Sequence, residues 1–322
     1  MPPTLDDLYA SPDHYLHSFA GDDAVFVRMD RAAYRRSIFL DARISPAAPG
    51  AMRVPLALLP GSCGEAPRTG WIFHIAHCGS TLLARALDEL GSNLVLREPL
   101  ALRQLGVAPD PARLALALGM LAKRYPGAGP TLVKANVPVN FLLEPIAAAD
   151  PAAAAVLLHY GLRDYLLAIL RGDSHRRWLR GVTAELAWSL GDLAELSDAE
   201  CAAALWLAQM RRFAGLLDAM PQARTLDAEE LFADPAAVLA LVAERFGIEP
   251  RADAIAGLVA GPLFATYSKN PEVAFDNAAR LARRSEIEAM LASEIAAAER
   301  WLEPHREIAA DALAVIESRA LG

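Results

Sequence analysis

Short apolar, β-prone runs alternate with longer stretches of helical period along the middle of this 322-residue chain. The runs fall at residues 71–76, 93–96, 131–134, 155–160 and, more weakly, 224–226. Between them lie helical patterns, among them 111–124 and 198–220. Strand and helix in alternation predict a parallel, doubly wound sheet covered on both faces. From Ala228 onward the pattern reads as nearly all helix. Residues 1–60 read as an extension packed on the core, with short strand candidates at 24–27 and 37–40. Residues 61–322 read as the main α/β domain, three-layered with a central, mainly parallel sheet and a helical C-terminal part.

The clearest join between pattern and chemistry is at residues 71–91. An apolar run ends at Ala76, a polar loop spans His77 to Thr81, and a helix with Leu82, Leu83, Ala86, Leu87 and Leu90 on one face stops at Gly91. Strand, small-residue loop and helix present backbone N–H groups and a positive dipole end to an anion. Gly79 permits close approach of the backbone, and Ser80 and Thr81 add hydroxyls. A nucleoside-triphosphatase loop needs Gly at position 74 and Lys at position 80; the chain has His74 and Ser80.

The segment His77-Cys78-Gly79-Ser80-Thr81-Leu82-Leu83 resembles the 5′-phosphosulfate loop of sulfotransferases: strand, Lys or Arg, Ser, Gly, Thr or Ser, Thr, then a Leu-rich helix. It departs at His77 and Cys78. The resemblance continues over roughly residues 70–260. Leu96-Arg97-Glu98-Pro99 places Glu98 where several such enzymes carry the suggested base for the acceptor. Leu132-Val133-Lys134-Ala135-Asn136 places Lys134 where they direct a cation at the transferring sulfonyl group. Arg163-Asp164 and Arg171 resemble the 3′-phosphate element, with Tyr165 in place of Pro and Arg171 in place of Ser. The stretch from Thr225 through Asp234-Pro235 to Phe246-Gly247-Ile248 resembles a structural element, with Val238, Leu241, Val242 and Phe246 expected to face the core. Ser268 and Lys269 stand where a late basic loop closes over the nucleotide.

The resemblance implies a P-loop NTPase-like fold and transfer of a sulfonyl group from 3′-phosphoadenosine 5′-phosphosulfate to a hydroxyl or amine. It implies His77, Cys78, Gly79, Ser80, Thr81, Arg163, Arg171, Ser268 and Lys269 as donor-binding residues. His77, Lys134 and Glu98 are implied for catalysis, without a metal. Two alternatives stay open: a noncatalytic nucleotide- or anion-binding relative, and an ATP-dependent phosphotransferase. Against the second, no core strand ends in a clear Mg²⁺-binding Asp. A cysteine phosphatase built on Cys78 needs Arg at position 84, which is Ala84. His74, His77 and Cys78 do not make a metal set, since strand alternation turns His74 away and no second cluster supplies ligands.

Composition narrows the partners. Hydrophobic residues make up 54%, enough for a sizeable core, and the net charge of −8 argues against a general nucleic-acid or anionic-membrane binder. Three unpaired-looking cysteines (Cys63, Cys78, Cys201), no basic-then-apolar leader and no apolar run of spanning length point to a cytoplasmic protein without membrane insertion. The expected partners are a small-molecule or glycan acceptor, with a homodimer as an option. Trp188 and Trp206 lie in Ala/Leu-rich helices and are expected in the core.

Overall fold

The computed structural model describes residues 3–59 and 68–322; Cys63 lies outside them. Three antiparallel strands come first: β1 (His14–Ala20), β2 (Asp23–Arg28) and β3 (Ala51–Pro55), in that spatial order. Then come β4 (Thr69–His74), β5 (Val95–Arg97), β6 (Thr131–Lys134), β7 (Ala155–His159) and β8 (Ala223–Asp227). They form one five-stranded sheet in the order β5-β6-β4-β7-β8, every pair parallel. All six residues of β4 are buried, as expected of a central strand covered on both faces. The chain starts at β4, moves outward to β5, returns to β6 and then crosses to β7. The sheet therefore switches direction beside β4, and ligands of such sheets bind at the carboxyl ends of the strands near that switch.

Five helices frame those ends: α1 (Ser80–Leu90), α2 (Leu162–Leu170), α3 (Asp173–Glu185), α4 (Asp198–Ala219) and α5 (Asn277–Met290). Helix α4 starts at a capping box, Ser197 to Glu200, and buries Trp206 and Phe213 in the core. Past Ala228 the chain is helical as expected, apart from a two-stranded hairpin, β9 (Thr266–Tyr267) and β10 (Asn270–Ala274). That hairpin puts Ser268 and Lys269 at its turn.

The N-terminal segment is fastened by buried polar groups. The Arg97 guanidinium, 1% exposed, donates to the carbonyls of Tyr34 and Ser37 and pairs with Asp88 at 2.7 Å. Gln104 closes both backbone groups of Phe19, at 2.7 and 2.9 Å. The Lys123 ammonium donates to the carbonyls of Leu8 and His14 at 2.8 and 2.5 Å, and burial lowers its pKa to about 7.

Three expectations differ in detail. Residues 37–40 form no strand; they follow the helix Arg31–Arg36, and Leu40 instead bonds the backbone around Arg97 and Leu100. Leu241 is 36% exposed; Leu239 takes its place in the core with Val238 and Val242. Trp206 is buried but Trp188 is 49% exposed, edge-on to Phe141.

Candidate functional site

The loop after β4 is held in shape by its own backbone. His77 and Gly79 adopt positive φ, 62° and 79°. A Cβ added at Gly79 would lie 2.9 Å from Phe232 Cζ, so both conformation and space demand glycine there. Cys78 Sγ donates to the Ile75 carbonyl at 2.9 Å, and burial pushes its thiol up to about 11, so Cys78 braces the loop as an un-ionised thiol. Gly79 caps α1 without a side-chain hydrogen bond, which leaves first-turn N–H groups of α1 for a ligand. Thr81 Oγ1 is buried without a partner in the same place. An uncapped helix start and an orphaned hydroxyl fit a phosphate-like oxygen.

The loop floors a cavity walled by α2, Glu229, Phe232, the β9–β10 turn and α5. His77, Cys78, Gly79, Ser80, Thr81, Arg171, Ser268 and Lys269 all line it, so the structure brings eight of the expected donor-binding residues together. Arg163 is not among them. Its guanidinium pairs with Glu288 and is 56% exposed, because the first turn of α2 points that side chain outward. Two arginines absent from the expected set line the cavity instead. Arg280 grips Glu229 through two bonds of 2.8 and 2.6 Å and lies 4.6 Å from the Phe232 ring centre; Arg284 pairs with Asp164. Their only sequence signal was spacing: residues four apart lie on one helix face. Burial raises the Asp164 pKa, whereas the hydrogen bond from Arg280 lowers that of Glu229.

A second cavity opens on the other side of His77 and Lys269, which line both. Its wall includes Phe39, Asp41, Arg43, His74, Glu98, Arg103, Asn136 and Trp178. Arg43 holds Asp41 through bonds of 2.9 and 2.5 Å and stacks over Phe39, while Arg103 reaches Glu185 at 2.5 Å. Residues 1–60 thus supply part of the site, which no motif in that segment announced.

Glu98 and Lys134 lie at the ends of adjacent strands, and their side chains form an ion pair with Lys134 wholly buried. Burial raises the Glu98 pKa, but the charges of Lys134 and His74 and the bond from Lys134 outweigh it and hold the carboxyl at about 2. So low a pKa makes a poor proton acceptor. The base expected at Glu98 is, in the structure, the counter-ion of the expected cation.

His77 also departs from expectation. Its ring packs 4.2 Å from that of His175 and edge-on to Trp178 at 5.8 Å. Burial, then Lys269, His175 and Arg171, lower its pKa to about 2. Without a ligand it is thus a neutral imidazole in a cationic neighbourhood and does not carry the charge that Lys or Arg would. Lys269, a solvent-exposed residue at the hairpin turn, is the cation next to that ring; desolvation and then Lys134 depress its pKa.

No family model matches the chain, and no curated protein does. Several solved structures resemble it, among them two sulfotransferases. One is a sulfotransferase domain from the curacin biosynthetic pathway, 14% identical over 58% of this chain and 76% of that one, with a TM-score of 0.40. The other is a sulfotransferase from Alicyclobacillus acidocaldarius, 15% identical over 74% of this chain and 94% of that one, also with a TM-score of 0.40. Among the described residues, no His, Cys, Asp and Glu group could hold a metal ion, and no helix is long and apolar enough to cross a membrane.

Proposed function

We propose that the chain is a sulfotransferase that moves a sulfonyl group from 3′-phosphoadenosine 5′-phosphosulfate to a hydroxyl or amine. One observation carries this reading. A phosphate-loop cavity and a second, polar cavity meet at His77 and Lys269, close enough to Lys134 for its charge to depress Lys269 and His74. Two substrates in these cavities would meet end to end, as direct transfer between them requires. The loop backbone, Ser80 and Thr81 take the 5′ end of the donor. Arg171, Arg280 and Arg284 take its other phosphate, the last two by exchanging Glu229 and Asp164 for it. Lys134 and Lys269 offset charge that builds on the transferring group and the leaving phosphate. Glu98 keeps the Lys134 ammonium in position.

The test is a thermal shift with 3′-phosphoadenosine 5′-phosphate against ADP at equal concentration, followed by transfer of labelled sulfonyl from the full donor into an extract of small molecules and glycans. A larger shift with the 3′-phosphorylated nucleotide and a labelled product are expected. Equal shifts overturn the donor assignment. The carboxylates in the donor cavity and the neutral His77 favour one second reading, a noncatalytic nucleotide binder. It predicts the selective shift with no labelled product from any acceptor.

A further inference from the structure

His74 and Asn136 share an unusual condition. Both line the second cavity, both are more than nine-tenths buried, at 6% and 7% exposure, and both carry a polar atom without a partner. His74 closes the central strand β4, beside the strand that carries Lys134. Its Nδ1 lies 2.7 Å from the Ile75 carbonyl oxygen. A carbonyl only accepts, so Nδ1 carries the proton and Nε2 presents a bare lone pair. Asn136 lies two residues past the end of β6, and its Oδ1 is likewise an acceptor with nothing donating to it. A buried acceptor left unsatisfied is destabilising, and native structures seldom keep one without a ligand or water to fill it. Two in one cavity call for one occupant with two donors.

The surrounding charge narrows that occupant. The charges that act on His74 are those of Lys134, Glu98 and Lys269, the last two of which line the cavity with it. Glu98 is matched by Lys134, and across the cavity Asp41 is matched by Arg43 and Arg103 by Glu185. Lys269 is the lining charge with no ion pair among the described residues, so the cavity's unbalanced charge is positive. A second cation is repelled there; a neutral donor is not.

We propose that His74 Nε2 and Asn136 Oδ1 form the seat of the acceptor's nucleophilic end, and that this end enters as a neutral group offering two hydrogen-bond donors, such as a vicinal diol or a diphenol, and not as an ammonium. This specifies the acceptor class within the transferase reading and rests on that reading for the name acceptor. The seat itself is a binding site and stands without turnover.

The test uses the full chain labelled with ¹⁵N-histidine, with no nucleotide added. Catechol is the neutral two-donor probe, phenol the one-donor probe, and benzylamine, protonated at neutral pH, the ammonium of similar body. The Nε2 resonance of His74, identified by its loss in His74→Phe, is expected to move with catechol and to report affinity in the order catechol, phenol, benzylamine, the first at least ~10-fold tighter than the last. Asn136→Leu is expected to bring catechol down to the affinity of phenol. An unmoved resonance, equal binding of benzylamine, or full catechol affinity in both variants overturns the proposal. Circular dichroism checks that each variant is folded, and His74→Gln replaces His74→Phe for identifying the resonance if the latter is not. A chain that seats catechol but transfers no sulfonyl group loses the transferase reading and keeps the seat; a chain that transfers the group while His74 stays silent does the reverse.

Discussion

The Glu98 carboxylate and the Lys134 ammonium pair across two adjacent strand ends, and the Glu98 N–H also donates to the Lys134 carbonyl at 2.7 Å. Glu98 sits at a φ of 56°, a backbone setting that few side chains adopt. Side chain and backbone therefore both fix this carboxylate on Lys134. Removing one member of a buried pair leaves the other charge uncompensated, which costs about 3–5 kcal/mol. Glu98→Gln is expected to lose stability on that scale in urea unfolding, and Glu98→Gln with Lys134→Met is expected to recover most of it. Equal stability of the single variant and the wild type would mean that water, not Glu98, solvates Lys134.

The same pair sets an acid limit. The folded-state pKa of Glu98, about 2, lies below its ordinary value of 4.5. A depressed carboxylate contributes stability above the unfolded pKa, and that contribution fades as pH falls toward the folded one. Between about pH 4.5 and about pH 2 the wild type should lose on the order of 3 kcal/mol through this group. Glu98→Gln should show a shallower acid slope in the same window. Parallel slopes in acid titrations followed by circular dichroism would remove Glu98 from the account.

Arginine placement sets Arg280 and Arg163 apart as candidate donor contacts. Arg280 faces the phosphate-loop cavity, whereas Arg163 is paired with Glu288 outside its lining. Arg280→Ala is expected to weaken 3′-phosphoadenosine 5′-phosphate binding by ~10-fold or more, the scale of a lost charge-assisted bond. Arg163→Ala is expected to change it by less than ~3-fold. Calorimetric titration gives both values, and the reverse order would return the phosphate site to the start of α2.

Neutral His77 has a signature in binding. With its pKa lowered to about 2, it carries no charge to lose near neutrality. Donor-product affinity should be flat, as far as His77 is concerned, from about pH 6 to about pH 8. His77→Gln should leave the profile unchanged. A drop in wild-type affinity across that range that His77→Gln abolishes would show that the bound nucleotide protonates the ring.

The sheet was legible because its period is local. Residues 131–134 are strand as expected, and the boundaries of the other four core strands lie within two residues of those of their apolar runs. The loop after β4 was legible because strand, Gly79 and Leu-rich helix form one continuous signature. What escaped needed the third dimension. Asp41 and Arg43 lie in a segment with no motif, and Arg280 and Arg284 lie on a helix whose other residues look like surface. His74 was set aside as a metal ligand because alternation turned it from His77 and Cys78, and no other role was read for it; in the structure it lines the second cavity. Glu98 and Lys134 were each legible at a strand end, but their pairing depends on β5 lying next to β6, which no local pattern states.

Lys269 sits at the tip of a hairpin and belongs to the wall of both cavities. An anion drawn to it from one side changes the field and the free space on the other. On the proposed function the two ligands would be energetically linked through a single side chain, and the linkage would be reciprocal: whatever factor the nucleotide applied to the affinity of its partner, the partner would apply to the nucleotide. A hairpin tip between two chambers makes the strength of that coupling a property of one lysine.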